Sequence, residues 1–140
     1  MKKYAVMVAT LVFVLTSSAF AANYLKPDVF RQWMETKRPV IIVDIQLADD
    51  FKEHHFKDSI ETNAFPAKSE EEKKKLDKAV EKIRATQDDV VVVCPRGKSG
   101  ASNSYEYIKS KGIPEKRLYI LEGGIAGWPY KEMFVKGREK

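Results

Sequence analysis

Several residue types are scarce in this chain of 140 residues, which has one cysteine, two histidines, seven glycines and six prolines. A single cysteine cannot close an internal disulfide, so no cross-link staples the fold. The two histidines are adjacent, His54 and His55, and a helix would point them to different sides. No cysteine or carboxylate cluster is spaced to join them, so the sequence calls for no metal and no cofactor. No apolar run reaches the roughly 20 residues that a membrane span needs. There is no repeat and no low-complexity linker, which excludes a solenoid and argues for one domain.

Charge of one sign is also scarce: 25 basic residues face 20 acidic ones. Two of the basic residues, Lys2 and Lys3, precede an uncharged run from Ala5 to Leu15. Thr16, Ser17 and Ser18 follow, then the small-x-small triplet Ala19-Phe20-Ala21. That layout predicts a secretory signal peptide over 1–21, cleaved after Ala21. The mature protein, 22–140, is then periplasmic or secreted and keeps no stable membrane anchor. Without Lys2 and Lys3 the count is 23 basic against 20 acidic, a formal charge of +3. So small an excess does not point to a nucleic-acid partner. In an oxidising compartment an idle exposed thiol is a liability, so the one cysteine, Cys94, needs a reason.

The remaining chain alternates helix and strand patterns. Pro27 to Met34 reads as a short helix with Phe30, Trp33 and Met34 on one face. Val40 to Val43 and Val90 to Val93 are continuous β-branched runs, the pattern of strands buried on both faces of a parallel sheet. Ala48 to His54 suits one or two helical turns, and Ile60 to Ala64 a brief strand. Ser69 is a helix N-cap before three glutamates, and Leu76, Ala79, Val80 and Ile83 continue at helical spacing. Gly100 to Lys111 is a helix stopped by Gly112, and Arg117 to Leu121 a third strand. The expected fold is α/β, with a mainly parallel central sheet flanked by helices on both faces. Its core spans about 24–130, and the basic tail 131–140 is peripheral.

Sites in open α/β sheets form beyond the carboxyl ends of strands, and Cys94 follows Val93 there. The segment Cys94-Pro95-Arg96-Gly97-Lys98-Ser99-Gly100 leads into a helix. A tight loop before a helix turns backbone amides inward and makes an anion cradle that favours thiolate over thiol. Arg96 and Lys98 add positive charge, Gly97 and Gly100 permit the turns, and Ser99 offers a hydroxyl donor. Pro95 removes one amide donor. Gly97-Lys98-Ser99 is not a phosphate-binding P-loop, because the glycine required five residues before Gly97 is Val92. A cysteine phosphatase would need a longer loop closed by arginine. Gly100 and Ala101 stand six and seven residues after Cys94 instead.

Four blocks in order resemble the rhodanese family: Val43-Asp44-Ile45 through Asp50-Phe51, His55-Phe56 with Ala64-Phe65-Pro66, the Cys94 loop, and Leu121-Glu122-Gly123-Gly124 through Trp128. The resemblance spans about Tyr24 to Tyr130. It implies a rhodanese-like domain and a sulfurtransferase in which Cys94 is the nucleophile. Cys94 takes the outer sulfur of thiosulfate or a polysulfide as a persulfide, held by the backbone amides of Arg96, Gly97, Lys98 and Ser99. Cyanide or a thiol, a protein acceptor included, then removes it. The alternative is a sulfane-sulfur carrier without turnover that delivers sulfur to a partner protein. The sequence departs from the family pattern at Gln46, where arginine is usual, and at His54, where glycine is usual. Both are expected to touch the scaffold rather than the chemistry. His55 is expected to be structural, His54 exposed, and Trp128 a core residue behind the cysteine loop.

Overall fold

The computed structural model describes residues 21–138. The expected signal peptide lies, but for Ala21, outside the described residues. The elements in chain order are β1 (Tyr24–Leu25), α1 (Pro27–Glu35), β2 (Val40–Asp44), α2 (Ala48–Glu53), β3 (His55–Phe56), β4 (Ile60–Glu61), α3 (Glu70–Lys74), α4 (Asp77–Arg84), β5 (Asp89–Val93), α5 (Ser99–Ser110), β6 (Leu118–Leu121) and β7 (Phe134–Val135).

Five strands form one parallel sheet in the order β1-β6-β5-β2-β4. The β-branched runs make its centre, with Val40 to Asp44 in register with Asp89 to Val93. Successive side chains leave a strand on opposite faces, so these runs feed two cores. Val43, Val90 and Val92 pack under α4 and α5 with Leu76, Val80, Ile83, Tyr105 and Ile108. Ile42, Val91 and Val93 pack on the other face with Phe30 and Trp33 of α1, Phe56 and Trp128. Both faces of the sheet are therefore covered, which is why its strands read as unbroken apolar runs rather than as alternating ones. Trp128 is the core residue expected: it meets Phe30 and Phe56 edge-on at 5.8 and 4.9 Å, and its Nε1–H donates to the Tyr130 carbonyl.

Three local expectations change. The helix after Ser69 is two helices, broken at Lys75 and Leu76. Ser69 and Glu72 do form a reciprocal capping box. The Leu76 amide then bonds Lys73 rather than the residue four before it, which tightens the chain and carries Leu76 fully into the core. The strand expected through Ala64 stops at Glu61. Beyond it, the Thr62 amide and hydroxyl both donate to the Asp44 carbonyl, and Asn63 takes a left-handed φ of 56°. The tail is not peripheral: β7 pairs antiparallel with β3, and Phe134 sits 5.0 Å from Phe56. Aromatic contact with the core outweighs the basic composition that suggested a loose end.

Candidate active site

β5 ends at Val93, and the chain leaves the sheet at Cys94. The neighbouring strand end is tied in, since the Ile45 amide donates to the Val93 carbonyl at 2.9 Å. Cys94 is 2% exposed. Its Sγ accepts a hydrogen bond from the Gly97 amide at 2.8 Å, three residues ahead. An N–H aimed at sulfur stabilises negative charge on it. Helix α5 begins immediately beyond, at Ser99, with no side chain capping its first turn. The positive end of its dipole therefore adds to the same field.

The loop can curl this tightly because a glycine turn clasps it from behind. The Ile125 amide donates to the Cys94 carbonyl and the Ala126 amide to the Pro95 carbonyl, each at 2.9 Å. Gly124 has φ +59°, and a Cβ there would collide with the Cys94 carbonyl oxygen and come within 2.6 Å of the Gly97 nitrogen. Gly97 has φ +69°, and a Cβ there would stand 2.8 Å from the Gly123 nitrogen. Two backbones thus meet where neither can carry a side chain. The Gly123-Gly124 pair, distant in sequence, shapes the cysteine loop. Pro95 loses an amide, but its carbonyl is used by the clasp and the donor to sulfur is Gly97, so the missing N–H is not the one at the thiol.

A cavity of about 370 Å³ opens in front of Cys94, and Arg96, Lys98, Ser99 and Gly100 line it. The two cations stand exposed at its rim, as does Ser99. The hydrogen bond to sulfur comes from the Gly97 amide rather than from the Ser99 hydroxyl. Pro95, Asp50 and Phe65 complete the lining. Asp50 and Phe65 lie in blocks that carry the family resemblance, yet no pattern in the linear sequence marks them as cavity residues. A second cleft, about 210 Å³, shares Asp50, Pro95 and Arg96 and continues to His54 and Ile125. A further cleft between His54, Phe134 and Lys136 does not include the thiol.

His55 is structural. It is buried, stacked on Phe51 at 3.9 Å, and its Nδ1 bonds the Phe51 carbonyl at 2.8 Å. His54 is half-buried against Phe134 rather than fully exposed, because β7 returns beside it. Among the described residues no group of His, Cys, Asp or Glu is placed to hold a metal ion.

Gln46 does act on the scaffold. Its backbone and side-chain N–H groups donate to the two oxygens of Asp44 at 2.8 and 2.9 Å, and its Nε2 also donates to the His54 carbonyl. Asp44 is fully buried at the end of β2. Burial pushes its carboxyl from 3.8 up to about 7, against the lowering effect of the Gln46 hydrogen bonds, and nearby Glu61 adds a smaller push upward.

Comparison with known proteins agrees with this geometry. Residues 26–131 match the model of the rhodanese-like domain. No curated protein sequence matches. Among solved structures, the chain is similar to a yeast protein tyrosine phosphatase of the rhodanese family, at 18% identity and a TM-score of 0.63, covering 86% of this chain and 96% of that one. It is similar to a rhodanese-like domain protein from Staphylococcus aureus, at 16% identity and TM-score 0.61, with 83% and 99% covered. It is also similar to a thiosulfate sulfurtransferase from Pseudomonas aeruginosa, at 14% identity and TM-score 0.60, covering 85% of this chain and 21% of that one. With its parallel sheet, its strand-end cysteine and the glycine turn behind it, the chain belongs to the rhodanese-like domain family, a family of sulfurtransferases.

Proposed function

We propose that this protein is an exported sulfurtransferase that moves sulfane sulfur from a small anionic donor to a thiophilic acceptor through a persulfide on Cys94. The observation that carries the reading is the Gly97 amide directed at Cys94 Sγ at 2.8 Å, inside a cavity rimmed by Arg96 and Lys98. In the first step the Cys94 thiolate attacks the outer sulfur of thiosulfate or a polysulfide. A Cys94 S–S bond forms, the donor's S–S bond breaks, and sulfite or a shortened polysulfide leaves with the electron pair. In the second step cyanide or a thiolate attacks the outer persulfide sulfur, and Cys94 departs as the thiolate. The phosphatase activity named for the yeast neighbour is not favoured here, since Gly100 rather than arginine stands six residues after the cysteine.

Intact mass tests the proposal. Treatment with thiosulfate or polysulfide should add one sulfur, and cyanide should remove it. Cys94→Ser should gain no sulfur and turn over no donor while its circular dichroism stays that of the wild type. Persulfide or turnover in that variant would end the assignment. Sulfur that cyanide leaves in place and only a partner protein removes would favour the carrier reading instead.

Export is part of the proposal. The Ile120 amide donates to the Asn23 carbonyl and the Asn23 side chain donates to the Glu115 carbonyl, so packing of the domain begins just past the expected cleavage point. Cleavage after Ala21 would leave β1 complete. N-terminal sequencing of the native protein should begin at Ala22, and a retained Met1 on a membrane-bound protein would refute it.

A further inference from the structure

The cavity in front of Cys94 holds more than is needed for a simple anion. Besides Arg96 and Lys98 it contains one carboxylate, Asp50, presented from α2. Asp50 is exposed. Among the described residues, neither Asp50, Arg96 nor Lys98 makes an ion pair, with one another or with a neighbour. Charges of both signs therefore face the same space without cancelling in a bridge. Phe65 and Pro95 supply apolar wall. The volume, about 370 Å³, with a further cleft of about 210 Å³ adjoining past Asp50 and Arg96, lies in the range of pockets for organic ligands. An inorganic dianion would leave most of it empty and would be repelled by Asp50.

We propose that Asp50 is the specificity-determining residue of this pocket, and that it selects a sulfur donor of the amino-acid persulfide class: an organic persulfide whose carbon chain bears both an ammonium and a carboxylate. This rests on the sulfur-transfer reading of Cys94. The donor's carboxylate faces Arg96 or Lys98, its ammonium faces Asp50, and its carbon chain lies along Phe65 and Pro95. The Cys94 thiolate attacks the terminal sulfur. A bond forms between Cys94 Sγ and that sulfur, the donor's S–S bond breaks, and the amino thiol leaves as a thiolate. Any proton on the terminal sulfur travels with it, so atoms and charge balance without an added oxidant or reductant. Asp50 acts on binding and not on proton transfer.

Asp50→Asn keeps size and shape and removes one charge at an exposed position, so opposite effects on different donors are the signature. Three donors are compared by kcat/KM, with circular dichroism confirming the fold: cysteine persulfide, N-acetylcysteine persulfide, which lacks the ammonium, and thiosulfate. The substitution should lower the value for cysteine persulfide about fivefold, the worth of one partly exposed charge pair. It should raise the value for thiosulfate about threefold, because a dianion loses a repulsion, and raise that for the N-acetylated donor by less. Both effects should shrink in high salt. Equal responses of the free and N-acetylated persulfides, a uniform change across all three donors, or no change would each overturn the proposal. Failure of the wild-type protein to gain sulfur from any of the three would instead take down the Cys94 reading itself.

Discussion

Asp44→Asn should stabilise this protein, and increasingly so as pH rises. Asp44 is fully buried beside Val93, one residue before the nucleophile, and its hydrogen-bond partner is the neutral amide of Gln46 rather than a cation. Its carboxyl is raised from 3.8 to about 7 in the folded state, with burial the main cause. Between those two values the folded protein holds a proton that the unfolded chain has released, so protons favour folding. The stability associated with this group is fully present below about pH 4, falls as pH rises through 7, and is lost above it. Each pH unit in that window is worth about 1.4 kcal/mol, which sets a ceiling on the order of 4 kcal/mol. Asparagine removes the charge but also alters the bonds to Gln46. Turning the Gln46 amide to meet it would cost the bond to the His54 carbonyl at 3.2 Å, about 1 kcal/mol. The net gain at pH 8 should then be roughly 2 to 3 kcal/mol, shrinking to zero or below near pH 4. Urea unfolding of both proteins at half-unit pH steps from 4 to 8 measures it. A difference between them that stays flat with pH would refute the reasoning, since it would mean that Asp44 titrates alike folded and unfolded.

Two further outcomes follow from the loop. Gly124→Ala places a methyl group against the Cys94 carbonyl and the Gly97 amide, and should lower sulfur transfer more than tenfold and stability by about 1 to 3 kcal/mol; wild-type kinetics would show that the clasp does not set the loop. Arg96→Ala and Lys98→Ala should each weaken thiosulfate capture several-fold and flatten the fall in rate with added salt. An unchanged salt response in both would leave the backbone amides as the anion's only partners.

Most of the architecture was legible because periodicity reports burial directly. Val40 to Val43 and Val90 to Val93 are apolar without alternation, and only a sheet covered on both faces explains that. Cys94 was legible for a similar reason: a lone thiol after such a run, followed by two cations and two glycines, has little other use. The outward parts read less well. The helix after Ser69 kept its spacing through Leu76, but spacing does not register a tightened turn that aims one leucine inward. The tail's lysines hid the aromatic contact that makes β7.

What the sequence alone determined is the chemistry available: one thiol, one loop with amide donors and two cations, and an α/β frame, since each is written in consecutive residues. What the tertiary structure decided is everything that depends on residues meeting from far apart. Gly124 presses on Cys94 from thirty positions on and shapes the curl of its loop. Asp50 and Phe65 reach the same cavity from separate segments of the chain. That the residue at position 46 meets the buried Asp44 carboxyl, through both its backbone and its side-chain amide, appears only once β2 is packed in the sheet. Local patterns in a chain encode propensity and periodicity, whereas the charge and shape of a pocket are sums over distant segments that only packing brings together.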